Sequence, residues 1–239
     1  MFHHAHSFIA SKLYKSEDPL LLIGSIIPDI AVVKIITWDK GLHGEKNVKK
    51  FRKFIEKHLS FTNLLNGIIA HNILDNFTHI EYHQKPGFAF QNTEKITKSV
   101  MKYYGLSKKR AKGITHNYIE SAVDILILKQ HPKIQDNLKL AIKKTDKQIL
   151  ANLLGLYFHI DQYKFSDALT NFFDEFTKYD FSKEENWIYF WGDLEKLLSL
   201  KDTKTKEREE LLNQSLELVK NTYKDFIDYS LLKGKTLAK

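Results

Sequence analysis

The sequence of 239 residues contains no cysteine. Disulfide bonds and thiolate metal sites are therefore excluded, and any metal that the chain binds must be held by nitrogen and oxygen ligands. Proline and glycine are also scarce, with 4 and 10 residues, and runs of alternating β-branched residues are few. Because proline and glycine disfavour helix interiors, their scarcity favours an all-α fold over a sandwich or a barrel.

Long apolar runs are missing as well. The apolar stretch at residues 20–27 is short and leads into Pro28 and Asp29 rather than into a small-residue cleavage site. Histidines stand where the cationic start of a signal peptide would be. No apolar run approaches the length that spans a bilayer. We therefore expect no transmembrane segment and a cytoplasmic protein.

The charge is basic but dispersed. Lys and Arg number 37 against 29 Asp and Glu, which gives a formal net charge of +8. The lysines are spread along the whole chain, with only short clusters such as residues 108–110. This distribution favours a solvated, lysine-rich surface over a dedicated nucleic-acid patch. Nucleic acid is therefore an alternative partner that the charge does not favour, and the sequence does not predict the oligomeric state.

Apolar residues recur at helical spacing along the whole chain. The predicted helical segments are residues 6–14, 20–27, 47–58, 61 to about 83, 94–104, 108–129, a segment from 132, 147–160, 165–178, 186–200 and one long helix at 206–232. No repeat, linker or compositional break divides them, so we expect one helical domain over residues 1–239. Residues 131–239 carry no recognisable motif and are expected to pack on the core as helices.

The strongest pattern is His71-x-x-x-Asp75-x-x-x-His79. Residues four apart lie on nearly the same helix face, because 3.6 residues make one turn. The neighbouring positions are apolar, so this helix is expected to be buried nearly all round. An unpartnered buried aspartate is costly, and a divalent cation between the polar side chains compensates that cost directly.

A second segment repeats the arrangement as His116-x-x-x-Glu120-x-x-x-Asp124, again with apolar flanks. One such row alone more often forms an ion pair than a metal site. Two rows on apolar helices are more specific, since two facing helices can make a polynuclear site.

Three further candidates lie nearer the N-terminus. His6 opens a helix, Asp29 follows directly after Pro28, where a side chain can point into a cavity, and His43 lies in a loop flanked by glycines. The motifs that follow one another over residues 1–130 are His6-x-x-Ile-Ala, Gly-Ser-Ile-Ile-Pro-Asp29, the isolated His43, His71-x-x-x-Asp75-x-x-x-His79 and His116-x-x-x-Glu120. Their order resembles the zinc-dependent phospholipase C family, which is related to the single-strand-specific zinc nucleases.

The resemblance implies a single multi-helix, all-α domain of the phospholipase C and zinc nuclease type, with two or three zinc ions or other divalent transition metals. It implies that His43, His71 and Asp75 hold one ion. A second would be held by His79, His116 and Glu120. His6 would help to hold a third, with Asp75 as a bridging ligand. Asp29 would contact a metal or its bound water and act as general base.

Some positions depart from the family pattern. Exported members use the amino group of the mature N-terminus as a ligand to the third ion, whereas this sequence begins with Met1 and has no recognisable leader. Either His3 or His4 would take that place, or the third site would stay empty. Many relatives have their second histidine where this chain has Glu81. His79 fits the helical period better, with His83 as the alternative, and Asp124 is a further possible ligand.

We therefore expect a zinc-dependent phosphoric ester hydrolase, a phospholipase C-like phosphodiesterase, acting on a small phosphoester or phospholipid. The bound ions would activate a water for attack on phosphorus and neutralise the developing charge. The alternative is a non-catalytic helical protein that keeps the metal cluster for structure or ligand binding. Asp29 separates the two hypotheses, since a structural site needs no general base.

Overall fold

The computed structural model describes residues 3–91 and 93–238, and most of these residues are helical. The helices are α1 (His3–Tyr14), α2 (Pro19–Gly24), α3 (Glu45–Ile55), α4 (Thr62–Asp75), α5 (Phe88–Gln91), α6 (Glu94–Tyr104), α7 (Lys108–Gln130), α8 (Lys133–Lys144), α9 (Lys147–Phe158), α10 (Gln162–Thr177), α11 (Glu184–Leu197), α12 (Thr205–Val219) and α13 (Tyr223–Leu237). The all-α prediction is confirmed.

The remaining regular structure is short. Two 3-10 segments, Ile27–Val33 and Leu59–Phe61, and one π-helical turn, Asn76–Ile80, lie between the helices. The strands Glu81–Tyr82 and Lys85–Pro86 pair antiparallel in a small hairpin. Thus the helix predicted for residues 61 to about 83 ends at Asp75, and the chain continues as the π turn and the hairpin.

The prediction of one long C-terminal helix at residues 206–232 is wrong. The chain forms two helices, α12 and α13, separated by a turn at residues 220–222. Asn221 and Thr222 both have low helix propensity, which makes this turn accessible. The break also has a packing reason: α12 packs on α6 and α7, whereas α13 packs on α1 and α4.

Two glycines let α2 and α4 approach closely. A Cβ atom on Gly24 would overlap the backbone carbonyl of Leu64, and a Cβ on Gly67 would overlap that of Leu21. Backbone therefore lies directly against backbone at this crossing. The contact matters for the site, because Ser25 follows α2 immediately and α4 carries His71.

The C-terminal half braces the elements that carry the N-terminal motifs. Helix α10 packs on the 3-10 segment that contains Asp29, α12 packs on α7, and α13 packs on α1 and α4. One large core of buried apolar residues extends from α1 to α13. Within the described part of the chain, we find no helix with the length and apolar character needed to cross a membrane.

Candidate metal centre

Helix α4 and the π turn after it carry the first polar row. His71 lies within α4 and is fully buried, Asp75 is its last residue, and His79 lies in the π turn. The Nε2 atom of His71 lies 3.2 Å from Oδ2 of Asp75, and that of His79 lies 3.5 Å from Oδ1. The row predicted from spacing therefore converges on one carboxylate. A π turn within a helical stretch often marks a functional site.

The loop histidine completes a first group with α4. The Nε2 atoms of His43 and His71 are 3.2 Å apart, and that of His43 lies 3.7 Å from Oδ2 of Asp75. Each of the three residues thus offers one ligand atom to a common point. The spacing in sequence does not reveal this contact, since 28 residues separate His43 from His71.

Helix α7 supplies most of a second group. Glu120 is fully buried, and its Oε1 lies 3.3 Å from Nε2 of His79 and 3.8 Å from Nε2 of His116. The rings of His79 and His116 stand at right angles, with centroids 5.1 Å apart. The two polar rows therefore do meet, with His79 as the residue between them.

A third group lies behind the first. It consists of His6 from α1, Asp29 from the 3-10 segment and the shared His71. The ring of His6 stacks on that of His71 at a centroid distance of 3.8 Å, and its Nε2 lies 3.4 Å from Oδ1 of Asp75. Asp29 Oδ1 lies 3.4 Å from Nε2 of His43. One oxygen of Asp75 thus faces His43 and His71, and the other faces His6 and His79.

The separations fit a bound zinc ion. Tetrahedral zinc with bonds of about 2.0–2.2 Å separates its ligand atoms by about 3.3–3.6 Å. The five distances given above for the first two groups run from 3.2 to 3.8 Å, and all ligand atoms of a group lie within 4.8 Å of one another. Asp29 Oδ2 is buried without a hydrogen bond to any described residue, as is Nδ1 of His3, 3.8 Å away. A cation compensates such buried acceptors.

Burial keeps two of the histidines in the form that binds metal. It lowers the pKa of His6 to about 4 and that of His116 to about 3, so both imidazoles are neutral near pH 7. Burial also opposes protonation of His71, but the carboxylates of Asp75 and Asp29 outweigh it and raise the pKa of that ring.

The carboxylates are ionised. Burial works against the charge on Asp75 and Asp29, yet the neighbouring histidines hold the pKa of each carboxyl below its usual value. The set therefore combines imidazole nitrogens, those of His6 and His116 neutral, with the charged carboxylates of Asp75 and Asp29. Imidazole and carboxylate are the donors that zinc accepts in sites open to substrate.

Two supporting contacts were not predicted from the sequence. The backbone carbonyl of Ser25 accepts a hydrogen bond from Nδ1 of His71 at 2.8 Å, which leaves Nε2 facing the group. The amide of Asn72 holds the loop on both sides of His43, since Nδ2 donates to the Leu42 carbonyl at 2.8 Å and Oδ1 accepts from Gly44 N at 2.6 Å. Ser25 lies in the Gly-Ser-Ile-Ile-Pro-Asp29 motif and no motif marks Asn72, but sequence spacing reveals neither contact, because the partners lie 28 to 46 residues apart.

The additional candidates fall in different places. His3 is buried beside Asp29 and lies at the edge of the third group. His4 points instead toward Asp124, whose oxygens accept hydrogen bonds from His4 N, His4 Nδ1 and Ala5 N at 3.1, 3.2 and 2.8 Å. His83 is exposed and packs on the ring of Tyr229.

Two of these candidates, Asp124 and His83, do not belong to the three groups. Asp124 lies outside the three groups, because it satisfies the amides at the first turn of α1, where a carboxylate also suits the helix dipole. His83 lies outside them as well, since the chain has left the helical path at the hairpin. The assignment of the remaining residues as ligands stays a prediction that the geometry permits.

The cluster is open on one side. The side chains of His43, Asp75, His79 and His116 are partly exposed, whereas those of His6, Asp29, His71 and Glu120 are buried. A substrate would therefore approach over His43, Asp75 and the two histidines of the second group. The buried residues form the back of the site, where water is excluded.

Comparison with known proteins agrees with this centre. No curated protein and no solved structure matches the chain. The sequence model of one family, described as zinc-dependent phospholipase C, matches residues 1–176, which include all the residues of the three groups. That match covers well over half of the 239 residues. The chain therefore belongs to the zinc-dependent phospholipase C family.

Proposed function

We propose that the chain is a zinc-dependent phosphoric ester hydrolase, a phospholipase C-like phosphodiesterase. The observation that carries the proposal is the convergence of separate groups on the single carboxylate of Asp75. An ion-pair network built only for stability has no need of four imidazoles around one aspartate. A substrate that is a small phosphoester or a phospholipid agrees with the family and with the open side of the cluster.

In this proposal the first group, His43, His71 and Asp75, holds one zinc ion, and the second group, His79, His116 and Glu120, holds another. His6 and Asp29 would hold a third, with Asp75 shared, and His3 is the candidate to complete it. Zinc bound there supplies Lewis acidity, which lowers the pKa of a coordinated water and neutralises charge on the phosphoryl oxygens.

The chain itself orients the reactants. Asp29 is ionised and buried at the back of the cluster, so it can accept a hydrogen bond or a proton from the attacking water. Ser25 fixes the orientation of His71 through the ring Nδ1, and Asn72 fixes the loop that presents His43. The substrate phosphate enters from the open side, opposite the buried carboxylate, as in-line attack requires.

The test combines metal content with turnover. Zinc-loaded protein is expected to hydrolyse bis(p-nitrophenyl) phosphate or short-chain phosphatidylcholine. Asp75→Asn should lose both zinc and activity, whereas Asp29→Asn should keep the zinc of the first two groups and lose roughly 100-fold or more in kcat. Asp146→Asn, at the exposed start of α9, is the control and should change neither.

Two results would overturn the proposal. One is a wild-type protein that is fully loaded with zinc yet hydrolyses neither diester, which would support the non-catalytic alternative. The other is Asp29→Asn with undiminished turnover, which would remove the proposed proton acceptor.

A further inference from the structure

A groove of about 890 Å³ opens directly beside the metal centre. The residues that line it include His43 from the first group, the chain after the 3-10 segment, the start of α3 and the end of α9. This volume lies within the range typical of small-molecule sites. Because His43 belongs to both the groove and the first group, a molecule bound at the metal centre can extend into the groove.

The polar lining of this groove is mainly basic. Four of its lining residues are lysines, namely Lys34, Lys40, Lys46 and Lys50, and all four are exposed. Two carboxylates also line it, those of Asp39 and Glu45. Glu45 is already paired at 2.6 Å with Lys49, a residue of α3 that does not line the groove. The excess charge in the groove is therefore positive.

Part of the groove lining is apolar. Its apolar residues are Ile35, Ile36, Tyr157, Phe158 and Ile160. Such apolar residues can pack on the ring or ring substituents of a substrate, while the lysines bind an anionic group attached to it. Lysine binds phosphate as a mobile point charge, so four lysines can take a phosphate in more than one orientation.

We propose that this lysine groove is a subsite for a second anionic group of the substrate. The preferred substrate class is then a phosphodiester that carries a further phosphate monoester on the same molecule. The inference rests on the proposed function, because it places the scissile diester at the metal centre and the second phosphate beyond His43. A zwitterionic diester such as phosphatidylcholine lacks the second phosphate and leaves the lysines unused.

Matched substrate pairs test the proposal. The first pair is thymidine 5′-(p-nitrophenyl phosphate) with and without a 3′-phosphate, and the second is short-chain phosphatidylinositol with and without a 4-phosphate. Within each pair the scissile bond is the same, so the ratio of kcat/KM values reports only the second phosphate. We expect a ratio of about 10 or more in at least one pair, falling as salt rises. The pair that shows it tells a nucleotide source from a lipid headgroup.

The matched variants lie on α3 and on the turn that follows it. Lys46→Gln/Lys50→Gln removes two groove lysines from α3, and the ratio should fall about 10-fold. Lys53→Gln/Lys57→Gln removes two exposed lysines at the same four-residue spacing that do not line the groove. This control has the same net charge, so it should keep the wild-type ratio.

A binding measurement distinguishes a failure of the groove proposal from a failure of the proposed function. Zinc-loaded protein is titrated by calorimetry with thymidine 3′,5′-bisphosphate and with thymidine 5′-monophosphate. Tighter binding of the bisphosphate, lost in Lys46→Gln/Lys50→Gln, supports the groove even if neither pair is hydrolysed and the proposed function fails. Equal binding of the two nucleotides, together with kcat/KM ratios near 1 in both substrate pairs, overturns the groove proposal. Turnover of the simple diesters would still support the proposed function in that case. An equal loss in the control variant also overturns it.

Discussion

Replacing Asp124 with alanine should destabilise the protein by about 4 kcal/mol. The Asp124 carboxylate is fully buried and accepts three hydrogen bonds from the first turn of α1, at 2.8–3.2 Å. A helix cap contributes up to about 2 kcal/mol, and each buried donor left without a partner costs about 1–3 kcal/mol. Asp124→Asn keeps one acceptor oxygen, so it should cost about 2 kcal/mol.

The matched control is Asp161→Ala. Asp161 caps α10 by accepting from Tyr163 N and Lys164 N at 3.0 and 3.1 Å, but it is exposed. Water can replace those hydrogen bonds, so the control should cost about 1 kcal/mol. Urea-induced unfolding, followed by circular dichroism at one fixed free zinc concentration, measures all three variants.

The Asp124 replacement should also affect the metal centre, because α1 contributes residues to it. This helix carries His3 and His6, so loosening its first turn should weaken zinc binding at the third group and leave the other two groups loaded. A loss of stability in Asp124→Ala no larger than that in Asp161→Ala would show that the buried hydrogen bonds of Asp124 contribute no more than an exposed cap. Full stability with loss of zinc in Asp124→Asn would instead identify Asp124 as a metal ligand and contradict its role as a cap of α1.

Three further perturbations test other parts of the account. Asn72→Ala should remove the zinc of the first group and lower the stability by about 1–2 kcal/mol, because the loop at His43 loses both of its hydrogen bonds to Asn72. Elemental analysis and urea unfolding measure the two effects, and full metal content would contradict the prediction. Gly67→Ala should destabilise by roughly 3 kcal/mol or more, because the added methyl overlaps α2; an unchanged melting temperature would show that the helices can separate freely. Metal-free protein should lose stability as the pH falls from about 6.5 to about 3. Burial lowers the pKa of His6 to about 4 and that of His116 to about 3. The unfolded chain therefore binds more protons than the folded chain in that pH range, and the folded state is destabilised. For His6 alone the shift corresponds to about 3 kcal/mol, and a flat stability profile from pH 7 to 4 would contradict the burial of these rings.

The local part of the site could be predicted from the sequence. His71, Asp75 and His79 share a helix face by spacing alone, as do His116 and Glu120, and apolar neighbours indicate that both helices are buried. The structure brings both rows to the same place. Local periodicity was sufficient here because each row lies along one continuous helical stretch.

The long-range part could not be predicted from spacing. Asp124 falls one turn beyond Glu120 in the same row, yet it faces the start of α1, and nothing in its own helix indicates that partner. The anchoring role of Asn72 likewise depends on a loop 28 to 30 residues away. The choice between His79 and His83 turned on where the helical path ends, which the sequence does not fix to within a turn.

The break between α12 and α13 shows the same limit. An apolar stripe continues through the turn at residues 220–222, so periodicity alone predicts one helix. Tertiary packing divides it, since the two halves pack on different helices. The single-domain organisation of residues 1–239 stays a prediction, as does the cytoplasmic location.

The most direct test is the zinc content of the purified, folded protein, measured by elemental analysis after exhaustive dialysis against metal-free buffer. We expect two or three zinc ions per chain, and about one fewer in Glu120→Gln, which removes a carboxylate only from the second group. A folded wild-type protein that takes up no zinc or other transition metal when zinc is added would contradict the central claim, because the converging carboxylates and imidazoles would then be an ion-pair network and nothing more.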